Sequence, residues 1–416
     1  MLEPPSPGNT PQRPDNRLWD AVIIGAGPAG SATAIRLAEL GWQVLLLEKH
    51  SAGDFKFGES LPPRALGLVR TLVGEFSKDS NWQDHYYVSR GNISSWEDSQ
   101  VQLNDFFFTP EGYGLCVNRP VFDRQLQKHA ILAGATLLRR TGFSMSRRLN
   151  HQGQSAAGEG VAGWRVSLND QTGNFEVLAR YLIDASGRRS VLAKSLGISR
   201  EGDDRLFAFA QRFRSASSDQ DCFTRLEAAA SGWWYSNRLP GKTDDQHERI
   251  VVLHTDRDLP AARQAASVTG FAELLGESVE MRRMLKQNNW QPNGKIVGAP
   301  AGHNRSACFA QADWLAVGDA AQAYDPLSSQ GIDKALRSGA QAAQLLHTAL
   351  LAPSAAEAKH SMCRYDHEQE KHWQNYCRQH QYYYRSQPRW HDEKFWQRRQ
   401  FSTATQSDYE TVREAS

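Results

Sequence analysis

The segment from Leu18 to Glu48 constrains this chain more than any other. A short apolar run, Ala21–Ile24, is bounded by the hexapeptide GAGPAG at Gly25–Gly30. The next stretch, SATAIRLAELG, has helical spacing, with Ala34, Leu37 and Ala38 on one face and Gly41 at its end. A second apolar run, Val44–Leu47, closes on Glu48 with Lys49 beside it. Strand, glycine turn, helix, strand and acid in this order form the βαβ unit that cradles a dinucleotide. Gly25 permits the tight turn, and Gly27 lets the backbone approach a pyrophosphate. Pro28 and Ala29 open the helix, and Gly30 allows it to pack closely on the strand. The helix N-terminus offers free N–H groups and the positive end of its dipole to the phosphates. Glu48 stands where a carboxylate would accept hydrogen bonds from ribose hydroxyls.

The chain holds its own control for this motif. GEGVAG at Gly158–Gly163 has the same glycine spacing, yet the alternating run WRVSL at Trp164–Leu168 follows it. That copy is expected to be a hairpin loop, because it lacks the helix that would present N–H groups to a ligand.

Two later segments pair an acid with small residues after a strand-like run. In YLIDASGRRS, Leu182–Ile183 leads into Asp184, Gly187 and Ser190. In WLAVGDAAQAYDPLSSQGIDKALRSG, the run Trp314–Val317 leads into Gly318–Asp319, a loop through Asp325–Pro326 and Ser329, and a helix starting near Gly331–Ile332. Each reads either as an ordinary strand-to-loop turn or as a ligand site at the carboxyl end of a sheet strand. In the second reading Asp319 accepts a ribityl hydroxyl, and the helix dipole at Gly331 faces the N1–C2=O edge of a flavin.

GAGPAG with Glu48, then DASGRRS, then GDAA followed by DP and SSQG, resembles the FAD-binding fold of flavin-dependent aromatic hydroxylases, which flavin halogenases and geranylgeranyl-reductase-type enzymes share. The likeness spans Gly25 to Gly339, about three-quarters of the chain. It implies an α/β fold with a discontinuous Rossmann-like FAD-binding domain (18–90, 115–200 and 290–350), an inserted α+β substrate domain (91–114 and 201–289) and a C-terminal helical segment (351–416). By the same resemblance, Arg119 in VNRPVFDRQL looks like the arginine that contacts the flavin, and Glu59–Ser60 in GESLPP looks like the loop beside the isoalloxazine. A surface arginine at a helix start is the plain alternative for Arg119.

Within that superfamily, halogenases carry a WxWxIP stretch and an active-site lysine. The nearest segment here, SGWWYSNRLP at Ser231–Pro240, matches neither. GESLPP, GWWYS, DPLSSQGIDKAL and the late FWQRR look most similar to the flavoproteins that mature tryptophylquinone cofactors. The resemblance implies hydroxylation of a tryptophan in a partner protein by a flavin C4a-hydroperoxide formed with dioxygen. Electrons would come from NAD(P)H directly or through an external flavin reductase. A small-molecule hydroxylase, a halogenase-like enzyme and a flavin-holding assembly factor without turnover are the rival readings. No acid–base catalyst is assigned. Trp233, Trp234 and Tyr235 either line a substrate pocket or fill a strand of the second domain, and the core reading is preferred.

Charge is nearly balanced at +2, which gives no excess of basic residues to neutralise a nucleic acid. The five cysteines are dispersed without CxxC spacing, so they read as reduced thiols in a cytoplasmic protein rather than as a disulfide or zinc framework. No run is long enough to span a bilayer. Residues 1–17, rich in proline, are expected to be a disordered tail. Past Pro353 a long polar helix to about Gln381 is expected, with His360, His367, His372 and His380 as ordinary helix residues and no metal site. The aromatic and arginine residues that follow either pack back onto the FAD domain or, at Trp390, Phe395, Trp396, Arg398 and Arg399, dock a protein substrate.

Overall fold

The strand Leu18–Ile24 is buried along most of its length and lies at the centre of a parallel sheet, which is why it reads as a continuous apolar run rather than an alternating one. The computed structural model of the chain describes residues 13, 17–50, 56, 58–75, 84–150, 161–217, 219–241 and 247–400. Most of the expected N-terminal tail, and Gly158 in the second glycine motif, lie outside them. Strand Leu18–Ile24 pairs in parallel with Val44–Glu48 on one side and with the end of Gly173–Asp184 on the other. Thr136–Arg139 and Trp314–Ala316 extend the sheet outward, also in parallel. Strands Val161–Asp170 and Gly142–Asn150 form an antiparallel hairpin on its edge. Gly163 of the second glycine motif is therefore already inside a strand.

The helix Pro28–Glu39 follows the glycine turn and packs against the helix Gly331–Leu351. Contact is close enough that a Cβ on Gly339 would lie 2.3 Å from the Ala29 carbonyl oxygen. Thr33 Oγ1 donates to the Gly339 carbonyl at 3.1 Å and joins the two helices at this contact.

A second sheet has seven strands, in the order Gln291–Pro300, Leu206–Ser215, His247–Asp256, Gly232–Leu239, Phe223–Ala229, Gly91–Ser95 and Gln102–Asp105. Helices Pro260–Ala265, Val268–Glu277 and Glu280–Gln287 cover one face. Of the segment 290–350 expected in the FAD domain, the first strand lies in this sheet instead. Strand Gln291–Pro300 pairs antiparallel with Leu206–Ser215 at the sheet edge, where its largely exposed side chains gave no apolar signal.

The last long helix, Ala355–Arg385, starts at Ser354, whose hydroxyl accepts from the Glu357 N–H at 3.3 Å. It joins the two sheets. Tyr365 donates to the Ala316 carbonyl of the parallel sheet at 2.8 Å, and Tyr384, a further five turns along, is buried with Trp233 of the seven-stranded sheet.

Candidate functional site

The carboxyl ends of the parallel strands and one face of the seven-stranded sheet enclose a cavity of about 550 Å³, a normal size for a ligand site. At one end it is lined by Gly25, Gly27, Pro28 and Ala29. No side chain caps the helix Pro28–Glu39, whose N-cap is Gly27. Among the described residues, a Cβ on Gly27 would meet no atom within 4 Å beyond its chain neighbours, whereas one on Gly25 would lie 2.4 Å from the Ala185 carbonyl oxygen. Gly27 thus leaves its space to the cavity. Gly30 does not line the cavity; a Cβ there would lie 1.9 Å from the Gly25 carbonyl oxygen, so it keeps helix and turn in contact. Glu48 and Lys49 line the wall beyond the next strand. Glu48 Oε1 accepts from the His50 N–H at 2.9 Å.

A second helix start meets the same cavity. Gly331 and Ile332 open the helix Gly331–Leu351, also without a side-chain cap, and line the wall with Pro326 and Ser329. Two uncapped helix N-termini at one cavity provide donors and favourable dipoles for an anionic or electron-rich ligand. These features fit FAD: its diphosphate suits the Gly27 turn, and its flavin suits the second helix start.

Asp319 lines the cavity but is not free, since Lys334 Nζ lies 2.7 Å and Arg188 Nε 3.7 Å from its oxygens. Burial opposes its charge, yet these cations outweigh it and hold the carboxyl below its ordinary range. Gly318 does not line the cavity; its Cβ would lie 2.8 Å from that of Ala29, so it too is a packing glycine. Gly187 lines the cavity, whereas Asp184 does not. Asp184 accepts from the Ser186 N–H at 3.1 Å and the Ala193 N–H at 3.0 Å. It fixes the loop instead of reaching a ligand, contrary to its expected role at the cofactor.

Glu59, Ser60 and Arg119 also line the cavity. Arg119 opens the helix Arg119–Leu132 and donates to the Gly58 carbonyl at 2.9 Å, beside an ion pair with Asp123 at 3.3 Å. Glu59 is buried, which pushes its carboxyl above the ordinary range although the Tyr235 hydroxyl donates to it.

Of the three aromatic residues considered for the substrate, only Tyr235 lines the cavity. Successive residues of a strand face opposite sides of the sheet. Trp234 accordingly packs on Phe271 under the helices, while Trp233 packs with Trp96, Tyr384 and Trp396 on the other face. Both are core, which corrects any contact role. The sheet contributes Ala208, Ile250, Val252, His254, Ala299 and Pro300 to the wall, and none of these was singled out in the sequence. Only strand parity could have found them.

Asp325, also on the wall, is 1% exposed. It accepts from Tyr384 Oη at 2.8 Å and pairs with His380 Nε2 at 3.1 Å. Burial opposes its charge, but His380, the Leu327 N–H and Arg399 together outweigh it and hold the carboxyl low. His380 is therefore not an ordinary helix residue. Asp204, His303 and His380 bring ligand-type atoms within 4.8 Å of one another, but each has another partner. Arg399 binds Asp204 at 2.8 Å, Tyr376 binds His303 at 3.1 Å, and Asp325 binds His380.

The C-terminal aromatic segment is placed differently from either expectation. Phe395 and Trp396 are buried against the seven-stranded sheet, with Trp396 Nε1 donating to the Ala229 carbonyl at 2.9 Å. Arg399 pairs with Asp256 at 2.7 Å, and Arg398 with Asp256 at 2.6 Å and Asp258 at 2.7 Å. Trp390 is half-buried against Trp396. These side chains make their contacts within the molecule, on the seven-stranded sheet rather than on the parallel one.

The sequence profile of the family described as FAD binding domain matches residues 19–379. LodB of Marinomonas mediterranea, named as an FAD-dependent oxidoreductase, is 26% identical over 93% of this chain and 98% of its own. The myxobacterial chondrochloren halogenase CndH shares the fold with a TM-score of 0.77 at 20% identity, over 96% of this chain and 89% of that one. The peptidyl tryptophan dihydroxylase QhpG shares it with a TM-score of 0.64 at 22% identity, over 94% of this chain and 80% of that one. Among the described residues, no helix is long and apolar enough to cross a membrane. The chain belongs to the FAD binding domain family and is an FAD-dependent oxidoreductase.

Proposed function

We propose that this flavoprotein is a monooxygenase that hydroxylates a tryptophan side chain of a partner polypeptide, in the maturation of a protein-derived quinone cofactor. The observation that carries the reading is the composition of the cavity: a dinucleotide cradle faces a sheet wall built from Ala208, Ile250, Val252, Ala299 and Pro300. Small apolar side chains leave room for a flat ring and exclude water from it. Reduced FAD with dioxygen supplies an electrophilic oxygen, for which an electron-rich indole is a suitable acceptor. The protein's task is then to hold the ring and keep the wall dry. Glu48, Lys49 and the Gly25–Gly30 turn would hold the adenosine diphosphate half of the cofactor; Asp319 would hold its ribityl chain. Glu59, Ser60, Arg119, Pro326, Ser329, Gly331 and Ile332 would surround its ring. QhpG, named for peptidyl tryptophan dihydroxylation, has this fold. Electrons would come from NAD(P)H or from a separate flavin reductase.

Halogenation is the second reading, favoured by the fold likeness to CndH. Against it, the sheet wall carries no lysine among the described residues, and the resembling halogenases use an active-site lysine.

The test is to reduce the purified holoprotein anaerobically, then admit oxygen with bromide and a candidate tryptophan-bearing partner. Mass spectrometry of the partner is expected to show one or two added oxygen atoms on tryptophan. Bromine incorporation would replace the proposal with halogenation. Release of peroxide alone, across all partners tried, would refute oxygenation of a protein.

A further inference from the structure

Strand His247–Asp256 sends Ile250, Val252 and His254 toward the cavity and Val251 and Leu253 under the helices. Its two neighbours are Leu206–Ser215 and Gly232–Leu239, and the polar wall residues of these three strands are His254 and Tyr235, of which Tyr235 already donates to Glu59. His254 is 3% exposed, and its Nδ1 has no hydrogen-bond partner. Nδ1 is closed off from open space, so the nitrogen left to meet a ligand is Nε2.

The imidazole is also held in place. It stacks on the Trp233 ring with centroids 3.7 Å apart and planes 12° from parallel. Trp233 Nε1 donates to Tyr384 Oη at 2.9 Å, and Tyr384 donates to Asp325 at 2.8 Å. The ring plane is therefore set by a chain of contacts reaching the C-terminal helix. Such support for a polar group on an apolar wall is how a pocket fixes the orientation of a ligand.

We infer that His254 is the hydrogen-bonding anchor for the ring N–H of an indole held against the sheet wall, and that it selects indole over carbocyclic rings of equal size. The inference rests on the reading of the cavity as a tryptophan site. Burial lowers the imidazole to a pKa of about 3, so the ring is neutral. A neutral imidazole has one N–H and one acceptor nitrogen. An indole N–H is a donor without acceptor capacity, so the pairing is complementary. A ring lacking the N–H leaves the imidazole unpaired, which is the situation that discriminates most strongly between otherwise similar ligands.

The test uses the oxidised holoprotein and two probes, indole and its carbon isostere indene, each titrated by the perturbation of FAD absorbance. His254→Phe keeps a flat ring on Trp233 and removes the hydrogen bond. The indole-to-indene affinity ratio is expected to fall about ten-fold in this variant, the loss of one hydrogen bond, with FAD content unchanged. An unchanged ratio, or no binding of indole to the wild-type protein, overturns the anchor. If His254→Phe fails to retain FAD, His254→Leu carries the same measurement. The two proposals fail separately. Partner hydroxylation with unchanged KM in His254→Phe overturns the anchor and leaves the tryptophan reading standing. A ratio lost on substitution, in a protein that oxygenates no partner, keeps the anchor and removes that reading.

Discussion

The two walls of the cavity are built on opposite principles. The cradle wall is made of backbone: the glycine turn, two uncapped helix starts, and glycines at 30, 318 and 339 whose missing Cβ atoms let helices and strands touch. The sheet wall is made of side chains whose positions depend on distant packing. Trp233, Tyr384, Phe395 and Trp396 form one buried cluster behind it, drawn from the sheet and from the end of the chain. A backbone site tolerates change in any side chain but fails when a Cβ is added. A side-chain site does the reverse.

That contrast can be broken experimentally, and the largest effect should come from the sheet side. Trp396→Ala removes a fully buried indole and is expected to cost about 3–5 kcal/mol of stability, measured by urea unfolding. A loss near zero would mean that the C-terminal cluster does not support the wall. On the cradle side, Gly30→Ala and Gly27→Ala should behave as opposites. Gly30→Ala forces its Cβ onto the Gly25 carbonyl and should destabilise the protein with or without FAD, by about 1–3 kcal/mol. Among the described residues, the Cβ of Gly27→Ala meets no atom within 4 Å beyond its chain neighbours, so the melting of the FAD-free protein should stay unchanged while FAD retention falls. Equal behaviour of the two variants would remove the distinction between a packing glycine and a ligand-facing one.

The smallest effect is in acid. Burial lowers His254 to a pKa of about 3 and, with the neighbouring His380, lowers His303 to about 4, both from an ordinary 6.5. The unfolded chain therefore binds more protons below about pH 6.5. Their contribution to stability is fully present above that pH and is lost as pH falls toward 4 and then 3. Near pH 5 the slope of unfolding free energy against pH should carry about two protons from this pair, and His254→Phe should remove about one. An unchanged slope would show that His254 is not buried in its neutral form.

The cradle was legible because its chemistry is written in local order. Strand, GAGPAG, helix, strand and Glu48 are contiguous, and GDAA with DP and SSQG repeats the logic in one later stretch. Asp184 misled because an acid after a strand looks alike whether it faces a ligand or ties its own loop through Ser186 and Ala193. Trp233 and Trp234 could not be separated by composition, since adjacent strand residues take opposite faces and the register decides which. Strand Gln291–Pro300 lies at an edge with most side chains exposed, so no apolar pattern marked its sheet. His254 gave no signal at all. Its importance arises from Trp233 across the strand pair and Tyr384 far along the chain.

Tyr384 and His380 hold Asp325, and Tyr384 also holds Trp233, so the sheet wall waits on residues that are made long after the cradle. Domains fold from the N-terminus as they emerge from the ribosome. The glycine turn emerges before the residues that fix the opposite wall. A growing chain can therefore complete its glycine turn well before the contacts that fix its sheet wall can form.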